Sequence, residues 1–321
     1  MSKESINICQ VSLARDIPII IENYLSFSKK YKKLNVFIIC PKKEIQEFKS
    51  QSLLKKANII SEESLISFKT FKSIFNKLSI KVKYKNKIKN RLKWYYQQIL
   101  KLSFLLKFLD KKNKNLIIWD ADTIILKKIN FFINNKSILY GNFFEFHKQY
   151  YKTNSYFFDK KKYFISFLNQ FIAVTTNEVN FLKKILLEDN KQKINKKSIY
   201  FLSKKIMIAI FRKHKAYNGS LFSEYELIGQ SIYLMRGEKQ IPILYLRNGL
   251  NGKLTKLQKK ISIFLNFKHV TYEHSHYNID SIGMLSRKLS WLKFFKLIIK
   301  NLIKFYLRKI RYNFKYTFLT S

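Results

Sequence analysis

Four short apolar runs constrain this chain more than any other feature. Residues 6–11, 35–40, 58–60 and 116–119 are short, predominantly apolar stretches without strict alternation, broken only by Asn7 and Gln10 in the first and opened by Asn35 and Asn58 in the next two. A run of that kind reads as a strand covered on both faces. The first three are separated by segments of helical period, one through Ile21, Tyr24, Leu25 and Phe27 and one over 42–48, and Pro41 stops the second run. Strand, helix, strand, helix predicts an α/β fold with a mixed, mostly parallel sheet flanked by helices. Further helices are predicted over 94–109, from Thr175 and Glu178 at capping-box spacing through Leu186, and over 223–234. Residues 170–174 and 241–246 read as strands, and the lysine-rich stretch 69–93 carries no assigned element. The chain is expected to divide into a domain over 1–285 and a basic amphipathic tail over 286–321.

The aspartates of the fourth run carry the most chemistry. Asp120 and Asp122 follow the apolar residues 116–119 directly, and Thr123-Ile124-Ile125-Leu126 continues beyond them. In open α/β sheets ligands bind at the carboxyl ends of the strands, where this pair sits. Two carboxylates one residue apart can approach one hard divalent cation and bridge it to a diphosphate. Upstream, the helix holding Trp94 presents Gln97, Gln98 and Lys101, and Gln97 and Lys101 share a face. Downstream, Ser223 and Glu226 have capping-box spacing, which leaves Glu224 free for chemistry, while Tyr225 fits a core position and Gly229 a close packing contact.

Those segments carry a resemblance. The stretch 116–126, LIIWDADTIIL, is similar to the D-x-D signature of GT-A-type nucleotide-diphospho-sugar glycosyltransferases. Residues 94–101 and 222–229 resemble the W-x-x-Q-Q-x-x-K and S-E-Y-E-x-x-G segments of an uncharacterised bacterial family related to them. The three matches keep their order between Trp94 and Gly229. The resemblance implies a GT-A-like, Rossmann-related fold and transfer of a sugar from a nucleotide-diphosphate donor to a glycan or lipid-linked glycan. It implies Mn²⁺ or Mg²⁺ on Asp120 and Asp122, and Gln97, Gln98 and Lys101 beside the donor. Glu224 becomes the candidate for taking the acceptor proton. His269, His274 and His276 cluster late in the chain, and His274 and His276, on one side of an extended segment, are candidates to complete the metal shell. Arg15, after the first strand, is the candidate contact to the donor nucleotide; Asp16 fits the N-cap of the helix that follows, with Pro18 in its first turn.

Charge bears on partners. The chain holds 63 Lys and Arg against 20 Asp and Glu, a formal charge of +43, and no acid occurs after Asp280. Such a field attracts anionic lipid, anionic sugar donors or nucleic acid. In the tail, Lys293, Lys296, Lys300, Lys304 and Arg308 fall on one helical stripe, with Trp291, Phe294, Phe295, Ile298, Leu302, Phe305 and Tyr306 largely opposite. That pattern suits the surface of an anionic bilayer. The alternative is a non-enzymatic polyanion- or nucleic-acid-binding protein, against which the aromatics sit mostly in apolar runs and no nucleic-acid motif is present. Cys9 and Cys40 read as core residues in a reducing compartment. With no signal-peptide pattern and no apolar run of membrane-span length, the expected location is the cytoplasm, peripheral on the inner face of the membrane.

Overall fold

The computed structural model describes residues 5–109, 114–143, 145–158, 166–187, 194–217, 219–238, 240–247, 252–272 and 287–319, with side chains described as far as Tyr312. Its strands in chain order are β1 (Ile6–Val11), β2 (Leu34–Cys40), β3 (Asn58–Ser61), β4 (Asn115–Trp119), β5 (Thr123–Ile125), β6 (Phe132–Ile133), β7 (Lys136–Ser137), β8 (Tyr140–Gly141), β9 (Phe171–Thr175), β10 (Ile241–Pro242) and β11 (His269–Thr271). The main sheet has the order β3-β2-β1-β4-β9, parallel except for β9, which runs antiparallel to β4. It is the mixed, mostly parallel sheet that the short apolar runs predict.

Alternation along each strand explains the two cores. Cys9, Val11, Leu116, Ile118, Ile172 and Val174 enter one buried cluster. Ile8, Ile117, Trp119, Phe171 and Ala173 enter another on the opposite face. A period of two sends neighbours to opposite faces, so strands with apolar residues on both faces need helices on both sides. Helix α1 (Ile17–Ser28) covers one face, with Ile17 and Ile20 packed on Val36, Ile38 and Cys40. Helix α2 (Ile45–Lys49) is a short connection to β3. Then come α3 (Phe68–Leu78), α4 (Lys85–Lys89) and α5 (Leu92–Phe108), followed by α6 (Lys148–Asn154), α7 (Thr176–Leu187), α8 (Lys196–Lys213) and α9 (Glu224–Arg236). Helices α3, α5, α7, α8 and α9 all contribute to the cluster on the other face. Helix α10 (Lys256–Phe264) and the last helix, α11 (Trp291–Leu319), border a third cluster built on Ile124, Leu126 and Val270.

Several readings of the sequence change. The stretch 69–93, left without an element, holds α3 and α4. Phe71, Ile74 and Phe75 are buried at spacings of three and four, and the Ser67 hydroxyl caps the Thr70 amide at 3.1 Å. Ser223 stands at the N-cap of α9 but makes no side-chain cap bond. Glu226 turns instead to the Ser166 hydroxyl and the Phe167 amide (3.0 Å), the loop that leads into β9. Burial lifts the Glu226 carboxyl to about 7. Asp16 likewise makes no side-chain cap bond to α1 and faces the Leu13 amide at 3.5 Å. The strand over 241–246 shortens to β10 plus an isolated bridge from Leu246 to Val270. Both cysteines are buried free thiols, and burial pushes the Cys40 thiol up to about 12.

Gly229 sits inside α9 because the Phe167 ring occupies the place of its side chain: a Cβ there would lie 2.1 Å from the ring. Glycine to alanine within a helix ordinarily stabilises by about 1 kcal/mol. Here overpacking, costing about 1–3 kcal/mol, outweighs that gain. Gly229→Ala is therefore expected to lower the urea midpoint; a raised midpoint would show that Phe167 moves aside freely.

Candidate active site

The alternation that orders β4 also aims its first aspartate. Leu116 and Ile118 face the side of the sheet covered by α5 and α9. Asp120, two residues on, emerges on that side and reaches residues of both helices. The turn beneath it is pinned from several directions. The Asp120 amide donates to the Gln170 carbonyl at 2.9 Å, and the Thr123 amide closes back on the Asp120 carbonyl at 3.1 Å. Trp119 Nε1 donates to the Thr123 carbonyl at 2.7 Å while its ring stacks on Phe171. The Tyr272 amide, at the end of β11, donates to the Asp122 carbonyl at 2.9 Å.

Lys101 lies at the centre of the site. Its side chain is 2% exposed, and its ammonium binds both Asp120 Oδ1 and Glu224 Oε1, the latter at 2.7 Å. The Tyr225 hydroxyl donates to the same Asp120 oxygen at 2.7 Å, and the Lys101 ammonium lies 4.7 Å from the centre of the Tyr225 ring. Burial alone would lower the Lys101 pKa, but the charges of Asp120 and Glu224 outweigh it and raise the value above the ordinary ammonium range. One cation cannot neutralise two carboxylates. Glu224 is fully enclosed, and burial raises its pKa against the pull of Lys101, with Asp120 adding to the rise. Its Oε2 is buried with no hydrogen-bond partner. Burial and the two acids hold Tyr225 far above the usual phenol range, so it remains a neutral donor.

An outer layer backs Asp120. Gln170, directly before β9, has φ of +65°, a left-handed conformation that a side chain other than glycine adopts at a cost of about 1–2 kcal/mol. The register explains its place: Phe171 pairs with Trp119, so the preceding residue lies opposite Asp120. With its amide oriented to satisfy both ends, Gln170 donates to Asp120 Oδ2 at 2.7 Å and accepts from Arg247 Nη1 at 2.9 Å. Arg247 in turn pairs with Glu145, which also lies 3.9 Å from His147. Burial would raise the Glu145 carboxyl, and His147 and Arg247 together bring it below its ordinary value.

The residues singled out in the sequence are thus partly gathered. Lys101, Asp120 and Glu224 form one buried network, and Asp122 follows on the same turn. Gln98 accepts the Glu224 amide at 3.2 Å, holding the start of α9. Gln97 donates to the Val11 carbonyl at 3.3 Å, at the end of β1. Arg15 is exposed beyond β1, with Asp16 at 3.8 Å. His274 and His276 lie outside the described residues. His269 is a core residue, stacked on Tyr245 at 4.5 Å with its pKa pushed down to about 3 by burial. Sequence reading missed Gln170, Arg247, Glu145 and His147, which no spacing marks; Tyr225 is the core residue it was expected to be, and its hydroxyl in addition reaches Asp120.

The donor set admits a hard cation in a restricted way. Asp120 already receives Lys101, Tyr225 and Gln170, whereas the half-buried Asp122 has its Oδ1 3.3 Å from the Thr123 hydroxyl. Among the described residues no three His, Cys, Asp or Glu side chains form a ready metal group. Mg²⁺ commonly takes one or two carboxylates, with substrate phosphates and water completing the shell, and Asp122 with Asp120 fits that mode.

Comparison with known proteins places the chain. A family model described as a family of unknown function (DUF6492) matches residues 14–285. The chain belongs to that family. No curated protein matches it. Among solved structures, this DUF6492 member is similar to mouse xyloside xylosyltransferase 1 in its apo form, with 10% identity, 85% of this chain and 99% of that one covered, and a TM-score of 0.40. It is also similar to the galactosyltransferase LgtC in complex with donor and acceptor sugar analogues, with 8% identity, 84% and 87% covered, and a TM-score of 0.40.

Proposed function

We propose that this protein is a metal-dependent glycosyltransferase that moves a sugar from a nucleotide-diphosphate donor to a glycan or lipid-linked glycan acceptor in surface polysaccharide synthesis. The observation that carries the reading is the Asp120-Ala121-Asp122 turn at the carboxyl end of β4, with Lys101, Tyr225 and Gln170 converging on Asp120. A carboxylate held by three donors is preorganised at a precise place, which a solvated turn after a strand does not require. Bound Mn²⁺ or Mg²⁺ would supply charge stabilisation to the departing diphosphate, with Asp122 and Asp120 as its protein ligands. His274 and His276 are proposed to complete the metal shell.

Glu224 is proposed as the group that takes the acceptor proton. Its carboxyl is raised above the ordinary range by burial and Oε2 is unpartnered, both of which suit proton uptake. Being enclosed, it would exchange that proton along Lys101, Asp120 and Tyr225. Gln97 and Arg15, around the end of β1, are proposed to border the nucleotide, and Gln98 to act by holding the start of α9. The work site is the cytoplasmic face of a membrane.

A panel of nucleotide sugars with and without Mn²⁺ tests the reading. One donor class is expected to raise the unfolding temperature by a few degrees only when the metal is present, and to be hydrolysed slowly without an acceptor. No stabilisation by any donor, together with tight RNA binding that collapses with salt, would instead support a polyanion-binding protein.

A further inference from the structure

Helix α11 has two apolar rows, and the domain uses only one. Phe294, Leu297, Ile298, Phe305 and Tyr312 are buried in the cluster built on Ile124, Leu126 and Val270. On the same face Arg308 donates to the Phe143 carbonyl, and the Tyr312 hydroxyl to the Gln240 carbonyl at 3.1 Å. A helix laid on a domain in this way normally turns polar residues outward. Here Leu292, Phe295, Ile299, Ile303, Tyr306 and Ile310 are exposed, Leu292 at 67% and Ile310 at 66%. Their spacings of three and four make one continuous row. Ile303 precedes Phe305 by two residues, about 200° of helical rotation, so this row points away from the buried one. Lys293, Lys296, Lys300 and Arg311 fill the sector between the rows and are exposed. Single exposed apolar residues are ordinary; an aligned row flanked by cations calls for an occupant.

We propose that α11 is an interfacial helix that seats the protein on an anionic phospholipid bilayer. The outward row enters the boundary between headgroups and acyl chains, and the flanking lysines meet lipid phosphates. Charge selects this occupant. No acid occurs in α11, so a second copy of the helix would bring cations against cations, and an RNA partner would leave the aliphatic row in water. Among the described residues no helix is long and apolar enough to cross a membrane, so the contact is one of lying on the surface. The helix and the candidate site are parts of one packed body: Phe294, Ile298 and Phe305 share a cluster with Ile124 and Leu126, which closely follow Asp122 in the chain. Docking therefore fixes how the site faces the bilayer. The docking itself does not depend on the sugar-transfer reading.

Vesicle sedimentation of the full chain at physiological salt tests the proposal, comparing phosphatidylcholine alone with an equal mixture of phosphatidylcholine and phosphatidylglycerol. Binding is expected to the mixed vesicles and not to the neutral ones. An Ile299→Asp, Ile303→Asp variant should partition at least tenfold less, with an unchanged circular dichroism spectrum and unfolding temperature. Lys296→Gln with Lys300→Gln should weaken binding several-fold and reduce its salt dependence. Equal partition of the aspartate variant and the parent would overturn the proposal. So would a dimer that the aspartates disperse, without vesicle binding, or salt-sensitive capture of RNA in place of vesicles. Failure of every donor in the nucleotide-sugar panel would leave these results untouched.

Discussion

Lys101→Met is expected to cost about 3–5 kcal/mol of stability at pH 7.5, the penalty for removing one partner from a buried ion pair. Against a total stability of about 5–15 kcal/mol, that is enough to leave the variant close to unfolding at 37 °C. Methionine nearly fills the vacated volume, so the loss is electrostatic more than steric. Without the cation, the enclosed Glu224 is left beside Asp120, and both burial and that neighbouring charge drive its pKa further up. The sign of the pH dependence follows. A carboxyl whose folded pKa lies above its unfolded value binds more protons in the folded state, so its ionisation weakens the fold as pH rises. The variant should therefore be more stable at pH 5.5 than at pH 8, with the loss spread from the ordinary glutamate range upward. In the parent, Lys101 contributes its full stabilisation below the ordinary lysine pKa and loses it only as pH rises through its own elevated value, so its contribution is level over that window. Adding Glu224→Gln to Lys101→Met should recover much of the loss and flatten the profile. Urea unfolding at the two pH values measures all of this. A single variant with unchanged stability would mean that water already neutralises the pair.

The same network shows how far the sequence carries. The strands were legible because a buried parallel sheet writes itself as short, predominantly apolar runs, and the aspartates were legible because they end one of those runs. The polar face of α5 was visible too, and Lys101 and Gln98 do face Glu224. What the sequence could not show is that their polar atoms are engaged by protein partners. Gln170 was hidden because its role depends on a left-handed φ and on the register of β9 against β4, neither of which has a residue signature. Glu226 was read as a cap because its spacing from Ser223 allows one, yet the Ser166–Phe167 loop had unpaired donors and the carboxylate went there. In the segment 69–93 the lysines obscure a helical period without breaking the helix: Phe71, Ile74 and Phe75 make a buried stripe in α3. In α11 the excess of apolar residues was countable, but only the docked helix separates Phe294, Ile298 and Phe305, which are buried, from Trp291, Phe295 and Tyr306, which are not.

The two aspartates are expected to respond differently to amidation, and the contrast bears directly on the proposed chemistry. Asp122→Asn removes a carboxylate outside the buried pair, so the unfolding temperature should stay within a degree or two while metal-dependent affinity for nucleoside diphosphate falls at least tenfold, about 1.4 kcal/mol. Turnover should fall further, by about 10²–10³-fold, because charge stabilisation of a leaving diphosphate is worth several kcal/mol in the transition state. Asp120→Asn leaves Lys101 facing one carboxylate instead of two, and the Glu224 carboxyl should then move down, since Asp120 is one of the causes that raise it. That exchange converts a site with excess negative charge into a balanced pair, so stability should hold or rise even as activity is lost. Calorimetric titration of nucleoside diphosphates with and without Mn²⁺, run beside thermal unfolding of each variant, separates the two effects. Parent-like, metal-dependent affinity in both variants would remove the aspartates from the donor site and leave the Lys101 network as a stabilising core feature. Loss of affinity in Asp122→Asn with a stable, inactive Asp120→Asn would assign the pair two jobs: Asp122 to the cation, and Asp120 to carrying the order of the buried network out to the diphosphate.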